Sequence, residues 1–215
     1  MKKLILLSLL IGGLMTATTS VVAEEIKYPA RIENHDFETG NLDGWTIVSG
    51  ELFVSEGVNS SVTSETTWWA EEIPYNQEGN YHLNGWKGGG EGAVGRLRSS
   101  TFNLQGSGWI TFKLGGAKDL NKQGIEVFDA DTGKLVAKYG NDFFNDKNFP
   151  HLEKGLAMAN MLDFKADLSK YLGKNLYIEI VDEKKSDWGV VFVDDIETYN
   201  ETEPKFGLKA KNLKD

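Results

Sequence analysis

No cysteine occurs in the 215 residues. That excludes disulfides, thiolate metal sites and a lipid-modified cysteine behind a leader. Histidine is nearly as scarce: His35, His82 and His151 are scattered, with no metal-ligand spacing. No Gly-x-Ser-x-Gly elbow is present, so the nucleophile turn of the α/β-hydrolases is missing. Positive charge is also in deficit. Twenty-three Lys and Arg face 32 Asp and Glu, for a net charge of −9. Phosphate binding needs a basic face, so nucleic acid is a poor partner for this chain. One long apolar run exists, from Leu4 to Met15, and Gly12-Gly13 interrupts it. It falls short of the ~20 apolar residues that cross a bilayer.

That run belongs to a leader pattern. Lys2 and Lys3 precede it, and Val21-Val22-Ala23 supplies the small residues of a cleavage site. Residues 1–23 are therefore expected to be a signal peptide, and the mature chain to be secreted and not inserted in a membrane. Cleavage removes two lysines and no acid, taking the charge from −9 to −11. The remainder is long enough for one cored domain. We read 24–32 as a polar lead-in, 33–199 as the domain, and 200–215 as a charged, poorly ordered tail with four lysines and Pro204. A monomer is expected.

Strand signals dominate the domain. Trp109 to Leu114 alternates, with Ile110, Phe112 and Leu114 on one face. Gly124 to Asp129 does the same, and Asp131-Thr132-Gly133-Lys134 reads as a hairpin turn into Leu135–Tyr139. Further short β-rich pieces lie at 45–48, 52–54, 94–102, 176–182 and 190–195. Helical signal is thin: a short helix within 155–163, and a helical turn over 167–173 ending at Gly173. Eight or more short strands separated by Gly and Asn indicate an all-β fold, a jelly-roll β-sandwich of two antiparallel sheets. Asn34–Gly40 with Gly44-Trp45, and Trp188–Ile196, are expected to be its first and last strands.

An ordered set of segments then resembles a known family. It runs through Tyr75–Trp86, Gly95–Phe102, Leu114–Asp119, Asp167–Ser169, Tyr171–Lys174, Tyr177–Asp182 and Trp188-Gly189 before Val193-Asp194-Asp195. The set is similar to the family 66 carbohydrate-binding modules, β-sandwiches that accompany secreted levanases and other family 32 fructan hydrolases. The resemblance spans about Asn34 to Ile196. It implies a non-catalytic module recognising fructose units at fructan chain ends, levan before inulin. Two departures stand out: Val190 follows Trp-Gly where the family commonly has a polar residue, and the segment 143–163 is longer than the usual loop.

Candidate ligands follow from residue chemistry. Trp86 and Trp188 lie in Gly-rich, polar loops, where an aromatic plane can pack the C–H face of a sugar ring. Asp119, Lys118, Asp187 and Glu91 sit in neighbouring loops and can hydrogen-bond hydroxyls. Arg98 can fork onto vicinal hydroxyls or onto a carboxylate of its own chain, and an internal ion pair is at least as good a fate. Trp45 and Trp109 are expected in the core; Trp68-Trp69 would face opposite ways. The loop 87–92 is read as a mobile approach to the ligand. For a structural Ca²⁺, Glu38 and Asp195 can converge if the first and last strands are neighbours, with a backbone oxygen near Gly40. Asp194 would then point to the opposite face. Two alternatives stand behind the sugar-binding module. One is a secreted adhesion or interaction module for a protein or other glycan; the other is a glycosidase, for which no acid/base pair can be named.

Overall fold

A computed structural model describes residues 27–68, 73–143, 159–185 and 189–214. The leader, Trp69, Asp187, Trp188 and most of the 143–163 segment lie outside the described residues. Fourteen strands are seen among those that are described: β1 (Thr46–Gly50), β2 (Val62–Thr63), β3 (Thr67–Trp68), β4 (Ile73–Pro74), β5 (His82–Asn84), β6 (Gly95–Arg98), β7 (Phe102–Asn103), β8 (Trp109–Gly116), β9 (Gln123–Asp129), β10 (Leu135–Tyr139), β11 (Leu162–Asp167), β12 (Asn175–Asp182), β13 (Val191–Glu197) and β14 (Leu208–Lys209). One short helix, α1 (Gly85–Gly89), and one 3₁₀ turn (Ser169–Tyr171) complete them.

Twelve of these strands form two six-stranded sheets, and β3 and β4 pair in a separate two-stranded unit. Sheet A has the order β1-β6-β12-β9-β10, with β7 also joining β12. Sheet B has the order β14-β11-β8-β13-β5-β2. The pairings within them are antiparallel except β11 with β14, which is parallel. This is the all-β sandwich read from the alternation. Period-2 patterning is what makes it work. Leu176, Ile178 and Ile180 of β12 face Ile110, Phe112 and Leu114 of β8 in one buried core, while Glu179 and Lys113 stand on the outer faces. Each such aliphatic or aromatic side chain contributes about 1.5–3 kcal/mol on burial. The Asp131–Lys134 turn forms as expected: Asp129 Oδ1 accepts from the backbone N–H groups of Asp131 and Thr132, and Gly133 takes φ +66°.

Four expectations are corrected by the chain's path. The segment 34–45 is a series of turns, not a strand, because Phe37, Gly40 and Gly44 all take positive φ. It does lie against the last strand: Ile196 N–H donates to the His35 carbonyl, and Thr198 Oγ1 to that of Ala30. The end of the chain is a strap, not a loose tail. Its β14 pairs with β11 in sheet B, and farther on Leu213 N–H reaches the Lys138 carbonyl of β10 in sheet A. Leu52 and Phe53 are buried but not in a strand. Trp109 is outside the core, half-buried on the outer face of sheet B under the ammonium groups of Lys165 and Lys209.

The outer face of sheet B carries a second, smaller core. Phe192 of β13 lies beneath Trp68, Tyr75, Met161, Ala159 and Val190, with Ile73 and Trp86 packed against them. The two-stranded β3–β4 unit forms part of that cover. His82 of β5 is sealed within this region, its ring 4.5 Å from that of Tyr75. Neither ring nitrogen of His82 has a hydrogen-bond partner among the described residues. Burial pushes its pKa down to about 4 from 6.5.

A pH dependence follows, with a definite sign. The unfolded chain protonates His82 near its ordinary pKa, the folded chain only near 4, so stability is lost as pH falls through that window. A displacement of this size is worth up to about 3 kcal/mol. Unfolding by urea at pH 7 and pH 4, for the wild type and for His82→Phe, isolates the effect from other acids. The wild type should lose stability relative to the variant by that order; a difference independent of pH would mean that His82 titrates equally in both states.

Candidate functional site

One pole of the sandwich is built by three loops, and two buried side chains fix them. Gln123 opens β9 and Asp182 closes β12, and the two are register partners. Gln123 Nε2 donates to Asp182 Oδ2 and to the Val190 carbonyl, both at 3.1 Å. Gln123 Oε1 accepts from Asp119 N–H at 3.0 Å, and Asp182 Oδ1 accepts from Lys184 N–H at 3.0 Å. The β8–β9 loop at 117–122 and the two ends of the β12–β13 connection, 183–185 and 189–190, are thereby tied to one another. Gly189 is required at its place: a Cβ there would lie 2.3 Å from the Lys184 carbonyl and 3.1 Å from that of Glu91. The Glu91 loop is in this way brought to the same pole.

Three of the proposed sugar contacts meet here. Asp119 starts a tight turn whose Lys122 and Gln123 N–H groups return to its carbonyl. Its carboxylate accepts from Asn121 N–H and stands 3.8 Å from Lys184 Nζ, a long ion pair whose side chains are about a quarter exposed. Lys118 is exposed beside it, and Glu91 is half-buried across the Gly189 contact. Asp187 and Trp188 fall between Lys185 and Gly189, outside the described residues. Desolvation pushes the Asp182 carboxyl up to about 6 against the pull of its hydrogen bonds. That value would suit a general acid, but the side chain is fully buried and both oxygens are engaged, so it serves as a brace.

The other two candidates are elsewhere. Trp86, on α1, is half-buried with its ring 5.5 Å from the Trp68 ring, and so belongs to the cover of sheet B. Arg98 lies on the outer face of sheet A, where its Nε and NH2 both donate to Glu179 Oε1, and its guanidinium stacks 4.4 Å from the Tyr177 ring. Arg96 bridges Glu126, Glu179 and Glu183 beside it. This is the internal ion pair weighed against a sugar contact. The glycine loop divides in two. At Gly88 a Cβ would come within 2.1 Å of the Leu52 carbonyl, so glycine there permits close packing, whereas Gly90 and Gly92 have open space around them.

Glu38 and Asp195 face different neighbours. Glu38 accepts from the backbone N–H of Asn80 and Tyr81 on Oε1, and from Asn80 Nδ2 on Oε2, at 2.7–3.0 Å. Desolvation works against its ionisation, but the donors of Tyr81 and Asn80 outweigh it and hold the carboxyl below its ordinary range. One lone pair on Oε2 is left for a cation. Asp195 sits on a bulge of β13 at φ +47° and accepts no side-chain hydrogen bond among the described residues; desolvation raises its pKa. Asp194 does not point the other way as alternation predicts: the bulge puts it, like Asp195, on the outer face of sheet B beside Lys113. It is buried, accepts from Glu78 N–H, and desolvation raises it to about 8. No group of three or more His, Asp or Glu among the described residues could hold a metal. Any calcium would need oxygens from the backbone, such as that of Gly40.

Sequence reasoning did not single out Gln123, Asp182 or Lys184. The signal was there in weak form: polar residues at the ends of two apolar strands that the pairing register places opposite each other. No family profile matches the chain, and no curated protein matches it. A solved structure does, one that belongs to work on the promiscuous specificity of carbohydrate-binding modules from the β-sandwich superfamily. It is 14% identical with a TM-score of 0.38, over 85% of this chain and 64% of that one.

The brace and the contacts should separate in stability. Asp182→Ala strands Gln123 Nε2 and Lys184 N–H partly without acceptors and should cost about 1–3 kcal/mol. Asp119→Ala breaks a long ion pair and one Asn121 N–H contact in an exposed turn, and should cost about 1 kcal/mol or less. Urea melts of the two variants check this; an equal cost would make Asp119 part of the frame.

Proposed function

We propose that the mature chain is a secreted, non-catalytic module that binds carbohydrate, with fructan, levan before inulin, as its ligand. The observation that carries the reading is the gathering of Asp119, Lys118 and Glu91 at one pole, from separate loops on a frame stiffened by Gln123 and Asp182. Carboxylates and ammonium groups there supply both acceptors and donors, which sugar hydroxyls need. The ordered resemblance to family 66 modules supports the choice of fructan, and the leader pattern supports secretion. A separate hydrolase would cut the polysaccharide that this module holds.

A structural Ca²⁺ is part of the proposal. Glu38 Oε2, Asp195 and a backbone oxygen near Gly40 would hold it, and it would tie the first turns to β13. If so, EGTA should lower the melting temperature and added Ca²⁺ restore it; an unmoved transition removes the ion.

Affinity electrophoresis of residues 24–215 in levan, inulin, xylan, glucan and mannan gels tests the ligand. Retardation is expected in levan, lost in Asp119→Ala while its melting stays near wild type, and no reducing sugar should be released. Migration unchanged in every gel would end the fructan assignment.

A further inference from the structure

The C-terminal strap does more than close the sandwich edge: it walls a small cavity on the outer face of sheet B. The cavity has a volume of about 220 Å³ and is lined by Thr111 and Lys113 of β8, Asp163 of β11, Asp195 at the β13 bulge, and Lys205 and Phe206 of the strap. It lies on the face of a sheet, among residues different from those of the loop pole. Its walls are fixed. Lys165 Nζ holds Glu203 at 2.8 Å and the Pro204 carbonyl at 2.7 Å, and Leu208 pairs with Phe164 just beyond.

Phe206 lines this cavity and yet is 86% exposed. A single exposed apolar side chain is ordinary on a protein surface. Here, however, both flanks of the residue are pinned, so the ring is held out beside a polar hollow. Across from it Lys113 Nζ donates to Asp163 Oδ1 at 2.6 Å. Lys113 is almost wholly buried, whereas the Asp163 side chain is 60% exposed and keeps acceptor capacity toward the opening. With Asp195 given to the proposed cation, Lys113, Lys205 and Asp163 leave both donors and an acceptor around the hollow, the mix that the hydroxyls of a neutral ligand take. An aromatic ring beside mixed donors and acceptors suits the two sides of a sugar ring: apolar C–H on one, hydroxyls on the other. The volume is below the roughly 300–1,000 Å³ of pockets that enclose drug-sized ligands, so it accepts one ring and not a chain segment.

We infer that this hollow is a second carbohydrate site, taking a single terminal unit of a neutral glycan with its ring against Phe206. It does not depend on the loop-pole reading, and the two can fail separately. Phe206 is exposed, so Phe206→Ala leaves the fold intact. The test is an NMR titration of the mature chain with fructose, glucose, galactose, mannose and xylose at millimolar concentration. Expected are saturable shifts of the Phe206 ring and of the Lys205–Leu208 amides with at least one sugar. They should weaken about tenfold or more in Phe206→Ala and persist in Asp119→Ala. The inference is overturned if none of the five sugars moves those signals, or if the shifts survive in Phe206→Ala. Loss of levan retardation in Asp119→Ala with the Phe206 shifts retained would show two separate sites; shifts without any levan retardation would fail only the loop-pole reading.

Discussion

Everything else in this protein rests on the burial of one face of each sheet against the other. β8 and β12 carry it most clearly, with aliphatic and aromatic side chains at alternate positions all at or near zero exposure. Because the strand period is two, placing these residues inward forces their neighbours outward with no freedom of choice. The core therefore dictates not only its own contents but also what each outer face must present. A one-residue slip of β12 would drive Glu179 and Tyr177 into the interior and expose Ile178 and Ile180.

The two outer faces meet that demand differently. On sheet A, Arg98, Glu179, Glu126 and Lys138 fall in one cross-strand row, and Arg96 joins both glutamates from the side. Glu126 and Glu179 are nearly buried, so each needs the cations beside it; removing one would leave a desolvated charge uncompensated. On sheet B the outward row includes Phe192, His82 and Asn84, which cannot be left to water, and Trp68, Ile73, Tyr75, Ala159 and Met161 pack over that face. The uncovered part of that face is where the C-terminal strap crosses and the cavity beside Phe206 remains. The charged groups on the face of sheet A are thus locked in ion pairs with one another, while those of the pole are carried by loops on a frame that does not have to move.

The same logic explains why the carboxylates divide into different kinds of work. Asp182 and Asp194 are buried, hydrogen-bonded to backbone N–H groups and raised in pKa by desolvation, which marks them as parts of the frame. Glu38 ties the 79–81 turn to the first loop; the Gly79 Cα sits so close that a Cβ would come within 2.5 Å of its oxygen. Asp119 and Asp163 are more exposed, with capacity left over. Exposure and prior engagement, more than residue type, separate a carboxylate that can meet a ligand from one that cannot.

Alternation along the chain was enough to determine the all-β class, the inward rows of β8 and β9 and the Asp131–Lys134 turn, because these depend on near neighbours and a period of two. It also placed Asp119, Lys118 and Glu91 in loops that turn out to share one pole. What alternation cannot state is which outer face is covered. Trp86 joins the cover of sheet B and Trp109 lies on the same outer face beneath two lysines, since each fate depends on segments far away in the chain. Arg98 was legible as a fork but its partner was not, because Glu179 is 81 positions distant and is brought opposite only by sheet register. The charged tail looked loose by composition; parallel pairing with β11 and the Asn212 and Leu213 contacts to Lys138 make it a strap. Local pattern determined which residues face inward, and only the tertiary structure decided which polar residues meet, since long-range contacts bring together groups that no local periodicity relates.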